Sequence, residues 1–203
     1  MSWKNYALGV IILLVSMGSA SAQITCHLGA QAGATIASTA ISDGSASADG
    51  LSMRSRSPDF GLHSGCDLRV TGTPFVVGGW GEYMWRDVSF VVNMGGPSLN
   101  VGMGNAWAIG GRIGYVLNGG TMPYALVGYT RTDINAAGAD VSSTLAGWQF
   151  GGGIEIPLTK QLSFAGEARW TKYDSLSLDN VMSGVSAKAD GLSAMARLNF
   201  NLN

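Results

Sequence analysis

The chain is 203 residues long, with 46% hydrophobic residues, only 12% charged, 30 glycines and a formal net charge of −1. A water-soluble domain usually carries about twice that charged fraction, and a chain without a basic run offers nucleic acid no electrostatic footprint. Past the N-terminal segment no apolar run reaches the roughly 18 residues of a spanning helix, so the apolarity is dispersed rather than gathered into blocks.

The first element in chain order is an export signal. Lys4 supplies a positive start, residues 7–15 form an apolar stretch, and Ala20-Ser21-Ala22 is a small-residue cleavage motif before Gln23. The expectation is a cleaved signal peptide over 1–22 and one domain over 23–203. The apolar stretch is too short to anchor the chain by spanning a bilayer. Cys26 follows Gln23-Ile24-Thr25, which lacks the small-residue context of a lipid attachment site.

Eight segments of alternating character follow, and side chains alternate between faces along a strand. The first (24–37) sets Leu28, Ala30, Ala32, Ala34 and Ile36 against His27, Gln31 and Thr35. The second (60–70) sets Leu62, Leu68 and Val70 against His63, Asp67 and Arg69. The third (75–86) turns Val77, Tyr83 and Trp85 one way, and Glu82 and Arg86 the other, together with Trp80 and Met84, which blur the pattern. The fourth groups Trp107, Ile109, Ile113, Tyr115 and Leu117 opposite Arg112. The fifth (122–132) is apolar on both faces and its sides stay unassigned. The sixth (145–157) is the clearest: Ala146, Trp148, Phe150, Ile154 and Ile156 alternate with glycines, Gln149 and Glu155. The seventh opposes Leu162, Phe164, Ala168 and Trp170 to Ser163, Glu167, Arg169 and Thr171. The eighth opposes Leu192, Ala194, Ala196, Leu198, Phe200 and Leu202 to Ser193, Arg197, Asn199 and Asn201.

The connections alternate as well. Those at 71–74, 118–121 and 158–161 are short and hold Gly, Asn and Pro suited to tight turns. Those at about 38–59, 87–105, 133–144 and 174–189 are longer. A bilayer admits only helices or closed barrels, because each backbone N–H and C=O must be paired inside lipid. The expected fold is therefore all-β: an eight-stranded antiparallel up-and-down transmembrane β-barrel with short periplasmic turns and longer external loops. A soluble lipocalin-like barrel or sandwich would turn its apolar face inward and carry charge outside. Here the polar face holds Glu and Arg. The other face holds the aromatics Tyr83, Trp85, Trp107, Tyr115, Trp148, Phe150, Phe164, Trp170 and Phe200, as a lipid-facing girdle requires.

Three stretches carry a family resemblance: Gly111-Arg112-Ile113-Gly114-Tyr115, Pro123-Tyr124-Ala125-Leu126-Val127-Gly128-Tyr129 and Gly151-Gly152-Gly153-Ile154-Glu155, with the last alternating strand. With them residues 23–203 resemble the OmpA-like and opacity-type family of small outer-membrane β-barrels of Gram-negative bacteria, which includes porin-family surface proteins. The resemblance implies residence in the cell outer membrane, contact with its lipid and lipopolysaccharide, and delivery by the outer-membrane assembly machinery. Two departures stand out: the peptidoglycan-binding domain of the longer relatives is missing, and the last residue is Asn203 where an aromatic is usual, Phe200 being the nearest substitute.

An eight-stranded barrel is just wide enough to be filled by its own side chains. Glu82, Arg86, Arg112, Glu155, Glu167, Arg169 and Arg197 fall on the inward face. Counting from the turns puts Glu82, Arg112, Glu167, Arg169 and Arg197 at similar mid-barrel depth. Buried charges must be paired, so one reading is a cross-barrel ion-pair network that plugs the lumen, and the other is a narrow wet pore for small solutes. No cofactor is expected and no enzyme. The two histidines, His27 and His63, share the inward face, and in His63-Ser64 consecutive strand residues point opposite ways, which spoils a dyad.

Cys26 and Cys66 are the only cysteines, of equal parity near the periplasmic ends of adjacent strands, so a cross-strand disulfide is expected in an oxidising compartment. A metal site from the two Cys and two His is disfavoured because the same parity turns the histidines away. The external loops are the expected place for an unidentified surface ligand. Loop one carries Arg54 and Arg56 among small polar residues. Loop two carries Val91, Val92, Met94, Leu99, Val101 and Met103, either as an extension of the flanking strands or as an adhesive surface.

Overall fold

Alternation in the sequence becomes alternation of burial in the computed structural model, which describes residues 23–42, 51–86, 88–92, 99–137, 141–174, 176–177 and 186–202. The expected signal peptide, residues 1–22, lies outside them, as does Met94 of loop two. The strands are β1 (Gln23–Ser42), β2 (Leu51–Arg69), β3 (Phe75–Arg86), β4 (Val88–Val92), β5 (Leu99–Tyr115), β6 (Met122–Ala137), β7 (Val141–Pro157), β8 (Leu162–Tyr173), β9 (Leu176–Ser177) and β10 (Ser186–Asn201). Eight of them are the staves. The short β4 and β9 pair onto β5 and β10 beside the outer connections.

Each stave pairs antiparallel with its neighbours in chain order, and β1 pairs with β10, so the sheet closes without a free edge. Register partners followed once around the barrel run Leu28, Ser64, Gly81, Ile109, Tyr129, Trp148, Lys172, Asp190 and then Ser38. The path leaves β1 at Leu28 and returns to it ten residues further on. That stagger tilts the strands by about 40° from the barrel axis.

The strands outrun their expected bounds on the outer side. β1 and β2 are paired as far as Ile41 and Leu51, and β6 and β7 as far as Ala136 and Val141. Much of the chain expected as loops one and three is therefore ladder, since a strand can continue past the bilayer wherever its neighbour continues too. The periplasmic connections stay short. Gly72, Gly119 and Gly120 there have φ of 78°, 92° and 86°, a left-handed conformation that favours glycine.

The fifth segment, β6, acquires its sides. Met122, Tyr124 and Leu126 are buried, while Ala125 and Val127 are exposed. It reads as apolar on both faces because the lumen is apolar at that wall: Val76, Trp80, Ala108, Met122, Tyr124 and Leu126 form one buried cluster across β3, β5 and β6. Trp80 fills the space above Gly110 and Gly128, where an added Cβ would meet the indole at 2.6 and 2.7 Å. Polar residues of β1, β2, β8 and β10 face this wall. Arg69, expected on the inward side, is exposed at the mouth where β2 ends.

Candidate functional site: the barrel interior

The interior polar groups stand in three tiers. Nearest the periplasm, Arg112 donates through Nε to Asp67 Oδ1 (2.9 Å), through Nη2 to Asp67 Oδ2, and through Nη1 to Glu155 Oε2 (2.9 Å). The other Glu155 oxygen accepts from Ser163 Oγ (2.5 Å) and Asn199 Nδ2 (3.1 Å). Asn199 Oδ1 lies 2.5 Å from His63 Nε2, and His27 Nδ1 is 3.9 Å from Asp67 Oδ2.

The middle tier is built around Glu82. Its carboxylate accepts from Arg169 Nη1 (2.5 Å) and Nη2 (3.1 Å), Arg197 Nη2 (2.6 Å) and Gln31 Nε2 (3.0 Å). Glu167 accepts from Arg169 Nε and from the Tyr124 hydroxyl (2.8 Å), with Arg197 Nη1 at 3.4 Å. The Arg169 guanidinium lies 4.5 Å from the centre of the Trp80 ring, and that of Arg197 lies 6.0 Å away. An aromatic face attracts a cation more strongly where water is excluded. Tyr124 joins the lower tiers, because the Arg112 guanidinium lies 5.2 Å from its ring. The outer tier pairs Arg86 Nε with Asp59 Oδ1 at 3.6 Å, while Thr35 donates to Asp59 and lies 2.8 Å from Ser193 Oγ.

All seven residues expected to form one network face the lumen, but they do not form one cluster. Glu82, Glu167, Arg169 and Arg197 meet, Arg112 and Glu155 meet a tier below, and Arg86 stands a tier above. The expectation that Arg112 shares the depth of Glu82 is corrected. The ten-residue stagger makes distance from a turn a poor measure of depth, because equal counts on different staves end at different heights. Two partners were absent from that network, Asp59 and Asp67, both on β2. Asp67 already had inward parity, while Asp59 fell in a stretch assigned to a loop. Five carboxylates thus meet four guanidiniums among the described residues, and the extra acid sits in the lowest tier, where Asn199 and Ser163 supply neutral donors.

On the outside, the nine expected lipid-facing aromatics are all exposed, joined by Phe60 and Phe75. Trp107, Tyr129 and Trp148 touch in series around the outer end, with ring centroids 6.2 and 5.8 Å apart, and Phe75 meets Tyr115 edge-on at the periplasmic end. Cys26 and Cys66 stand directly opposite each other in register and are joined, with their Cα atoms 4.0 Å apart. His27 and His63 sit inside, their rings 5.9 Å apart, whereas Ser64 is exposed outside. Among the described residues no three His, Cys, Asp or Glu side chains come together as metal ligands would.

Residues 10–200 match a protein family described as the outer membrane protein β-barrel domain. The chain belongs to that family. Its place is the cell outer membrane, and its closed eight-stave barrel is the family fold. A comparison with curated proteins finds no match. Among solved structures it is similar to OprG of Pseudomonas aeruginosa (13% identity, 88% of this chain and 96% of that one, TM-score 0.47). It is similar also to Ail, the attachment invasion locus protein of Yersinia pestis (14%, 85% and 98%, 0.41), and to the outer membrane protease OmpT of Escherichia coli (11%, 89% and 96%, 0.45). In this family member the short turns face the periplasm and the long strand extensions face outward.

Proposed function

We propose that the protein is a non-enzymatic structural barrel of the envelope, presenting its outer connections at the cell surface, with a lumen closed by its own side chains. The observation that carries this reading is the middle tier. Two arginines converge on Glu82 under the Trp80 ring, with Glu167 tying both to Tyr124, so side chains reach across the bore from β1, β3, β6, β8 and β10. Eight strands leave little space around such a constellation. The absence of a catalytic role is supported by the opposite facing of His63 and Ser64, since a nucleophile needs its base within hydrogen-bond reach.

Planar-bilayer recording of the purified, refolded chain tests the closure. The expected trace is silent or shows only rare, small events. Steady, reproducible openings of the wild-type protein would instead assign it a small-solute pore. Surface presentation is tested by comparing host-cell binding of wild type with a variant lacking 88–103, where equal binding removes adhesion from its roles.

A further inference from the structure

Just above the outer aromatic belt the polarity of the wall turns over. Within the membrane the charged side chains face the lumen and the outer face is apolar. A few residues further out, Asp133, Lys172, Asp174 and Asp190 are exposed on the outer parity, whereas Ala37, Leu145 and Tyr173 are buried on the lumen parity. Water rather than hydrocarbon bathes this rim, so apolar side chains gain by turning inward, as they do in a soluble barrel.

The ladder divides at the same height. β2 leaves β3 at Asp59 and Arg86, and β7 leaves β8 at Gly147 and Tyr173, with one further bond from the Asp174 N–H to the Ala146 carbonyl (2.8 Å). Beyond those points β4 pairs with β5, and β9 pairs with β10. Among the described strands no ladder joins β2 to β4 or β7 to β9. The rim is therefore two leaves, one of β4, β5, β6 and β7 and one of β9, β10, β1 and β2. Rows of register partners on the lumen parity continue up both leaves without a charged residue, through Val88, Met103 and Ile134 on the first and Ala187, Ile41 and Leu51 on the second.

One apolar cluster holds the leaves together at their foot. Ile134 and Leu145 come from the first leaf, Ala37 and Ala189 from the second, and Tyr173 from the tip of β8 between them. The Tyr173 ring reaches toward both. An added Cβ at Gly147 of β7 would meet it at 3.0 Å, and one at Gly191 of β10 at 3.8 Å. Glycine at these two lumen positions leaves the ring its room.

We infer that this rim is a two-leaved jaw, and that the Tyr173 clasp is an outer gate to the lumen, separate from the ion-pair tiers below it. The inference rests on the reading of a closed lumen and adds a second closure to it. Apolar contact is non-directional, and above Arg86 and Tyr173 no ladder ties one leaf to the other among the described strands. The leaves can part by losing side-chain packing, while the staves in the membrane keep their ladders.

The test is thiol labelling of the whole chain in intact cells by a small, membrane-impermeant methanethiosulfonate, read by mass. Thr171→Cys places a reporter in the lumen two residues below Tyr173, at a position 2% exposed. Thr144→Cys, on the outer parity of β7, is the exposed reference. Thr171→Cys should react at least about tenfold more slowly than Thr144→Cys, because a buried thiol reacts only through a local opening. Tyr173→Ala should remove most of that protection, Leu145→Ala part of it, and Tyr173→Phe none. Ser163→Cys, in the lowest tier, should stay unlabelled from outside even with Tyr173→Ala, since the ion-pair tiers lie between. Heat-modifiable migration verifies that each variant is folded. Fast labelling of Thr171→Cys behind an intact Tyr173, or full protection in both Tyr173→Ala and Leu145→Ala, would overturn the gate and leave the closed tiers standing. Labelling of Ser163→Cys from outside behind an intact Tyr173 would overturn both.

Discussion

Replacing Glu82 by Gln separates a sealed interior from a wet one by the size of its effect. The Glu82 side chain is 2% exposed and accepts three hydrogen bonds from Arg169 and Arg197. Glutamine keeps the shape and one acceptor oxygen but removes the charge. Two guanidiniums then share Glu167 alone, and Arg197 reaches it only at 3.4 Å. A unit-charge pair at contact is worth about 4 kcal/mol at the effective dielectric of a protein site but about 1 kcal/mol in bulk water. Breaking a buried pair on one side costs about 3–5 kcal/mol, because the remaining charge stays desolvated. The expected loss is therefore about 3–5 kcal/mol if the lumen is closed. The assay is urea unfolding of the refolded protein in lipid vesicles, followed by tryptophan emission and by gel mobility. Arg197→Met completes a double-mutant cycle, and the pair should show a coupling of about 2 kcal/mol or more. A loss within about 1 kcal/mol with an additive cycle would refute the reasoning, because water would then be screening the charges.

Three further outcomes follow from the packing of the barrel. Gly110→Ala should impair refolding, since its Cβ would lie 2.3 Å from the Val127 carbonyl oxygen and 2.6 Å from Trp80, while Gly166→Ala, with nothing within 4 Å, should refold like wild type in a kinetic gel assay. Trp80→Ala should cost about 3–5 kcal/mol in the urea assay by opening a cavity at the inner wall, and should raise single-channel conductance above the wild-type background by removing the cover over Arg169. Cys26→Ser should lower stability to reduction-independent levels, by about 4 kcal/mol for a bridge enclosing a 40-residue separation. Wild type should show the matching alkylation mass only after reductant.

The fold was legible because its signal is redundant. Seven of the eight segments state the same division between lipid and lumen, so Trp148, Phe150 and Ile154 on β7 need no knowledge of their neighbours to be placed outside. The disulfide partners shared parity and strand position, and register then set them face to face. Legibility failed where both sides of the wall are apolar. β6 gives no alternation because Met122, Tyr124 and Leu126 pack on Trp80 inside while Val127 faces hydrocarbon, and composition cannot tell two apolar solvents apart. It failed again at the outer ends of β1 and β2, where Ser, Ala and Asp suit a loop and a ladder above the membrane equally well.

From the sequence alone came the compartment, the barrel, its strand number and the inward face of Glu82, Arg86, Arg112, Glu155, Glu167, Arg169 and Arg197, because side-chain parity is a local property with period two. Pairing among those charges is not local. Across the bore, which acid meets which arginine depends on the stagger that closure imposes, and that offset of ten residues exists only once β1 meets β10. Closure therefore decided that Glu82 of β3 takes Arg169 of β8 and Arg197 of β10, whereas register between neighbouring strands sets Arg86 opposite Asp59 and puts Arg112 in one row with Asp67, either side of Gly78.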